Sequence, residues 1–217
     1  MSGIVPKTVW LYRVIHIDNL EHILRNGICT ATHPLHDPNY LAIGNSAIIN
    51  RRKESAIPLA AYGMLGDYIP FYFAGHSPAM YNIITGYEVP LTSQAKLVFL
   101  CCKATDITSV CTKWCFTNGP AMIAVSDFYN DLSSLSELDW NAINAVYWKN
   151  SPEQPFMQNR KQSEFLVKDF IPASVISSIA VLNNDSYKTV TDITTKTGHT
   201  ASCGIDTKYK LFYQGFA

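Results

Sequence analysis

Four groups of residues have the types that chemistry needs. Glu164 stands at the mouth of an apolar, β-leaning run within RKQSEFLVKDFI, just after the polar segment KNSPEQPFMQNRKQS. Desolvating an unpartnered carboxylate costs several kcal/mol, so a Glu here is either a wet strand start or a group with a task. Spacing alone favours the wet strand start. Arg51, Arg52 and Lys53 close the segment IGNSAIINRRKES. Such a basic end complements a helix dipole, or it aims a cation that never deprotonates at a phosphate or a reacting base. The stretch GMLGDYIPFYFAGHSPAMYNII carries Tyr68, Phe71, Tyr72, Phe73 and Tyr81. These rings wall a core or offer a stacking surface, where each base contributes ~1–3 kcal/mol. Tyr12, Arg13, His16 and Asn19 gather where a strand runs into a helix, and for His16 alone a backbone-bonded helix entry is the ordinary reading. A lone carboxylate with a fixed cation and aromatics suits a glycosidic cleavage, in which the carboxylate steadies an oxocarbenium-like transition state. Residue types by themselves do not establish that reaction.

The elements that must position these groups are legible in part. Residues 7–15, KTVWLYRVI, read as a strand. Asp18 and Glu21 make a capping-box-like start for a helix with Leu20, Ile23 and Leu24 on one face, closed by Gly27. Residues 29–42 read as loop, and IGNSAIINRRKES as a helix capped by Asn45 or Ser46. Pro70 demotes the aromatic run to an edge strand or a bulge. Ser77-Pro78 opens the next helix. Residues 97–104 and 113–118 read as strands, residues 126–131 as a short helix, and Asp139 as the cap of a helix with Trp140, Ile143, Val146 and Tyr147 on its apolar face. A polar loop over 149–163 precedes the Glu164 strand. Residues 175–182 form a further strand, 186–198 are ambiguous, and 208–213 suggest a last strand. Strands and helices mingle without regular alternation, which predicts an α+β domain with antiparallel pairs.

Composition narrows the classes. The chain has 217 residues, 47% of them hydrophobic and 16% charged, enough for one large domain (1–217) with a substantial core. Formal net charge is zero, so a polyanion must be held by a local basic patch. No run approaches the ~20 apolar residues of a membrane span, and the first residues do not read as an export signal. The six cysteines are therefore expected to be reduced in a cytoplasmic protein. Cys101, Cys102, Cys111 and Cys115 lack the paired hooks of a zinc site and read as core, so no metal is expected. Dinucleotide-fold, P-loop, nucleophile-elbow and HExxH motifs are missing, as are helix-turn-helix, zinc-finger and RRM signatures.

The segments LYRVIHIDNLEHILRNG, IGNSAIINRRKES, GDYIPFYFAGHSPAMYNI, CFTN, LDWNAI and QSEFLV stand in the order seen in DarT-type DNA ADP-ribosyltransferase toxins. The chain resembles that family from about residue 10 to 182, with a weaker echo near Tyr209–Tyr213. The specific pieces are D-Y-[IV]-P-F-Y-F…S-P and [AS]-E-F-L-V. The resemblance implies an ADP-ribosyltransferase fold, related to the PARPs, with NAD+ as co-substrate in the cleft of a split antiparallel sheet. It implies transfer of ADP-ribose onto a base of single-stranded DNA, thymine in the branch this sequence is similar to, within short sequence motifs. It also implies a toxin countered by a macrodomain antitoxin of DarG type, in systems some of which act in phage defence.

Carried over by position, Glu164 matches the catalytic glutamate and Arg52 the catalytic arginine, with Arg51 one register away. Tyr12, Arg13, His16 and Asn19 match the first NAD+-binding segment, and Tyr72 the aromatic of the nicotinamide pocket. The loop 149–163 corresponds to the segment that selects the target, so Arg51, Lys149, Arg160 and Lys161 are expected at DNA phosphates. Two departures stand out. Position 13 is histidine in some relatives, and Gly75-His76 replaces a segment that carries a cation in many of them. Three other readings compete: the same fold acting on RNA or protein, bare NAD+ hydrolysis, and a non-catalytic single-strand-binding module. The last is weakened by zero net charge, because phosphate contacts dominate such affinity.

Overall fold

A computed structural model describes residues 3–216. Along β1 (Trp10–His16) side chains alternate, and Leu11 and Ile15 are fully buried. A 3-10 turn leads into α1 (Leu20–Asn26), which packs Leu20, Ile23 and Leu24 inward and ends at Gly27 with φ of 89°. The capping box expected at Asp18 and Glu21 does not form. His16 caps the turn instead, its ring accepting from the Asp18 N–H, while Glu21 pairs with Arg25 and Lys196. There follow β2 (Ile28–Cys29), α2 (Ser46–Arg52), β3 (Tyr68–Tyr72), α3 (Pro78–Thr85), β4 (Leu97–Lys103) and α4 (Ala104–Val110). The rest of the chain gives β5 (Trp114–Thr117), β6 (Phe128–Tyr129), α5 (Trp140–Asn144), α6 (Met157–Lys161), β7 (Glu164–Lys168), β8 (Phe170–Ile171), β9 (Ser178–Val181), α7 (Asn184–Thr197) and β10 (Ser202–Ile205). Asn45, Ser77 and Asp139 cap α2, α3 and α5 through their side chains, as their positions predict.

Eight strands form the main sheet in the order β10-β9-β4-β1-β3-β7-β5-β6, all pairs antiparallel except β9 with β10. β1 runs beside β4 over seven registered pairs, and β3 beside β7 over five. Between β1 and β3 there is one pair, Tyr12 opposite Tyr72. The sheet is thus two half-sheets that touch at a point and splay apart. Pro70 lies along the split and not at an edge. Its carbonyl faces β1 and accepts from Arg13 Nη1 at 2.9 Å, so its missing N–H faces the same way and the β7 ladder loses nothing. The largest core cluster joins residues of both half-sheets, from Leu11 and Leu100 to Phe71, Phe116 and Phe165. Adjacent residues of β4 serve opposite faces: Cys102 enters that cluster and Cys101 a second one with Met80, Phe99 and Phe212.

Three further expectations are corrected and one open stretch is resolved. Residues 126–131 hold the short edge strand β6, where Tyr129 stacks on Phe116, and not a helix. α5 stops at Asn144, leaving Val146 and Tyr147 64% and 91% exposed. The Thr-rich stretch is α7, whose hydroxyls bond carbonyls one turn back, as Thr189 does to Asp185. Residues 208–213 are irregular, and the last strand is β10.

Candidate active site

Register sets the site. Tyr12 faces Tyr72 across β1 and β3, and Tyr72 faces Glu164 across β3 and β7. Directly opposed residues point to one face of a sheet, so the three side chains stand in a row over the split. Glu164 is 4% exposed at the first position of β7. Its Oε2 accepts from Arg52 Nη1 at 2.9 Å, and its Oε1 from the Ala121 backbone N–H at 2.9 Å. Its own N–H donates to Thr117 Oγ1 at 3.2 Å, and that hydroxyl donates to the Gly119 carbonyl at 2.6 Å. The turn after β5 therefore holds both the backbone and the carboxylate of Glu164. Each carboxylate oxygen retains a lone pair for a further donor.

Arg52 reaches this carboxylate from the last turn of a helix that buries none of its residues. α2 is held by its ends. Asn45 accepts from the Ala47 and Ile48 N–H groups and donates to the Glu88 carbonyl. At the other end Gly66 lies against Lys53, where a Cβ would meet the Lys53 Cα at 2.8 Å. This close approach turns the Arg52 side chain inward, 12% exposed, while Arg51 stays on the surface. Burial works against the Arg52 charge, but the charge and hydrogen bond of Glu164 outweigh it and hold the guanidinium above its ordinary pKa. Tyr72 is pushed well above the ordinary phenol range, first by burial and then by Glu164. Burial raises Tyr12 to about 12, with smaller contributions from Cys101 and Asp206. Both phenols are neutral at physiological pH. Among the described residues, two buried side-chain donors lack partners: Arg52 Nη2 and Arg13 Nε. An unmet buried donor costs ~1–3 kcal/mol.

Other residues singled out from the sequence sit elsewhere. Asn19, 2% exposed, spends its amide on the Leu41 backbone, donating to the carbonyl and accepting from the N–H, both at 2.9 Å. It clamps the loop that leads to α2. His16 is four residues along β1 from Tyr12, ~13 Å away. It lines a separate cavity of about 380 Å³ with Lys96, Asn183 and Ser186. Lys149 is exposed, and Arg160 pairs with Asp139 at 3.0 Å. Lys161 does not fit a phosphate contact. It is 3% exposed, and its Nζ donates to the Ile143 and Ala145 carbonyls at 2.6 Å each. Burial pushes its pKa down to about 8. Sequence reasoning missed Thr117, Gly119 and Ala121, which lie more than forty positions before Glu164 in the chain. CFTN marked only the strand end. Gly119 also lines a cleft of about 530 Å³ with Glu137, Phe156, Asn159 and Arg160.

A family profile described as "ssDNA thymidine ADP-ribosyltransferase, DarT" matches residues 12–213. The chain belongs to the DarT family. A curated DNA ADP-ribosyl transferase of Thermus sp. (strain 2.9) is 34% identical over 181 residues, 83% of this chain and 85% of the relative. The structure of Thermus sp. 2.9 DarT in complex with ADP-ribosylated ssDNA superposes with a TM-score of 0.88 at 29% identity, covering 98% of this chain and all of the other. Its complex with NAD+ gives 0.82, also at 29% identity, over 97% of this chain. The split sheet is thus an ADP-ribosyltransferase fold, and the chain is an NAD+-dependent DNA ADP-ribosyltransferase. The chain fits that co-substrate. Arg52, with one buried nitrogen unpaired, bonds the buried carboxylate, neutral Tyr72 stands opposite it, and Arg13 reaches across the split to the Pro70 carbonyl, a donor set suited to a molecule with anionic phosphates and ribose hydroxyls. Among the described residues no group of three or more His, Cys, Asp or Glu is placed to hold a metal ion.

Proposed function

We propose that this chain transfers the ADP-ribosyl group of NAD+ onto a thymine base of single-stranded DNA within a preferred sequence. The observation that carries the reading is the buried Arg52–Glu164 pair with Arg52 Nη2 left unpaired, in line with Tyr72 and Tyr12. NAD+ supplies the ADP-ribosyl group and loses nicotinamide. Glu164 accepts a ribose hydroxyl on a free lone pair and stabilises the positive charge that develops at the sugar in a site with little water to screen it. Tyr72 and Tyr12, neutral, orient without adding charge, and Arg13 Nε offers a donor across the split. Arg52 bonds Glu164 through Nη1, and its free nitrogen favours the thymine ring nitrogen as the anion. The ribose–nicotinamide bond breaks, a bond from the anomeric carbon to that nitrogen forms, and the ring proton passes to solvent.

Acceptor strand is held by the loop 149–163, with Lys149 and Arg160 as its exposed cations and Arg51 of α2 as a third. The protein acts in the cytoplasm as a toxin, and a macrodomain antitoxin removes the modification. No described helix is long and apolar enough to cross a membrane. The test is incubation with NAD+ and oligonucleotides with one thymine, none, or ribose in place of deoxyribose, read by mass spectrometry. A mass increase confined to the thymine-bearing DNA is expected. Labelling of RNA or protein instead, or nicotinamide release that DNA does not stimulate, would overturn it.

A further inference from the structure

After β10 the described residues, to Phe216, form neither helix nor strand, yet they are pinned along their length. Asp206 accepts from the N–H groups of Lys210, Leu211 and Phe212 at 3.0, 2.7 and 3.1 Å. Leu211 lies so close to Gly75 that a Cβ there would meet its Cα at 2.5 Å. His76 Nε2 donates to the Phe212 carbonyl at 2.7 Å, and its ring stacks on Tyr213 with centroids 4.5 Å apart. Gln94, fully buried, donates to the Tyr213 and Phe216 carbonyls and accepts from the Tyr213 N–H. Gly75-His76 is thus complementary to its own C-terminal segment.

Tyr81, on α3, joins that segment to something else. Its ring meets Tyr213 at 5.8 Å, Phe216 at 6.0 Å and Trp148 at 5.9 Å, all edge to face. Trp148 is the root of the 149–163 loop. At the loop's far end Lys161 is tied to the Ile143 and Ala145 carbonyls. Between these anchors Ser151 and Glu153 make local bonds and Phe156 is 56% exposed.

We propose that Tyr81 is a positioning residue for the nucleic-acid acceptor: it locks the root of the 149–163 loop against the clamped C-terminal segment, so the strand meets a preformed rim. The inference rests on the reading above that this loop faces the acceptor. The ring contacts of Tyr81 run to Trp148, Tyr213 and Phe216 and not to Arg52 or Glu164, so its loss should fall more on the acceptor than on NAD+. The experiment compares Tyr81→Ala with Tyr81→Phe and Trp148→Ala in the full chain, measuring KM separately for oligonucleotide and for NAD+, with amide exchange over residues 146–163. Tyr81→Ala and Trp148→Ala should raise the oligonucleotide KM about fivefold or more, the loss that an edge-to-face ring contact carries, and speed exchange in the loop. KM for NAD+ should stay within about twofold, and Tyr81→Phe, which keeps the ring, should behave as wild type. The two losses should add less than fully in the double variant, because the Tyr81–Trp148 contact is common to both. Unchanged oligonucleotide KM, equal rises in both KM values, or unchanged loop exchange would overturn the proposal. Exchange is read without any acceptor. Failure of wild type to label DNA would therefore count against the proposed function, while loop exchange still decides the role of Tyr81.

Discussion

Glu164 is nearly buried, and its two oxygens accept from Arg52 and from the Ala121 N–H. Removing one member of a buried pair leaves the other uncompensated, which costs more than the pair itself contributes. Arg52→Ala should therefore lower stability by about 3 kcal/mol in urea unfolding, and Arg51→Ala, on the surface, by no more than about 0.5 kcal/mol. Activity should follow the same order, since Arg52 alone reaches Glu164. Equal effects of the two substitutions would mean that α2 turns differently in solution. Glu164→Gln preserves shape but removes the charge that answers the developing cation. Its labelling rate should fall by about a hundredfold or more, measured as ADP-ribosylated oligonucleotide formed per minute.

α2 is an element with no buried residue of its own, so its aim depends on Asn45 at one end and Gly66 against Lys53 at the other. Gly66→Val should push the last turn away and reduce labelling by about tenfold, the scale on which small misplacements act, while far-UV circular dichroism stays unchanged. Wild-type rates in that variant would show that α2 is steered by something else. The link from α6 back to α5 is Lys161, buried under two carbonyls. Its pKa is lowered by burial to about 8 from the ordinary 10.5. Below pH 8 both folded and unfolded chains carry the proton, and the folded state bears the full cost of a buried ammonium. As pH rises from 8 toward 10.5 the unfolded state binds more protons than the folded one, so this group's contribution to stability rises. Thermal melts of wild type against Lys161→Met should diverge in favour of wild type across that window, by up to about 3 kcal/mol. A constant difference from pH 7 to 10 would exclude a depressed pKa at Lys161.

Across the whole molecule, two half-sheets meet at the single pair Tyr12–Tyr72, and the proposed site is the opening this creates. With zero net charge there is no long-range field to gather DNA, so affinity must come from a few local cations. Lys161 is withdrawn from that set by burial, leaving Arg51, Lys149 and Arg160 at the surface. Each single-strand phosphate contact contributes about −0.7 to the slope of log affinity against log salt, so three give about −2. Fluorescence anisotropy with a short oligonucleotide between low and physiological salt checks this. A flat response would remove these cations from the interface, and a much steeper one would require further contacts.

Local signals in the sequence were enough for β1, β4, β5 and β7, for the capped starts of α2, α3 and α5, and for the motif pieces that mark the DarT family, because alternation, caps and short motifs are set by neighbouring residues. The same signals failed where distant contacts decide. Residues 126–131 became a strand only because β5 offered an edge, and 208–213 gave up a strand to lie in the groove formed by Gly75 and His76. Nothing local reveals that Ala121 holds Glu164, that Asn19 spends its amide on Leu41, or that Lys161 faces inward. Those outcomes belong to tertiary packing, since a buried charge or amide takes whichever partner the fold brings within about 3 Å of it, and that partner can lie far away in the chain.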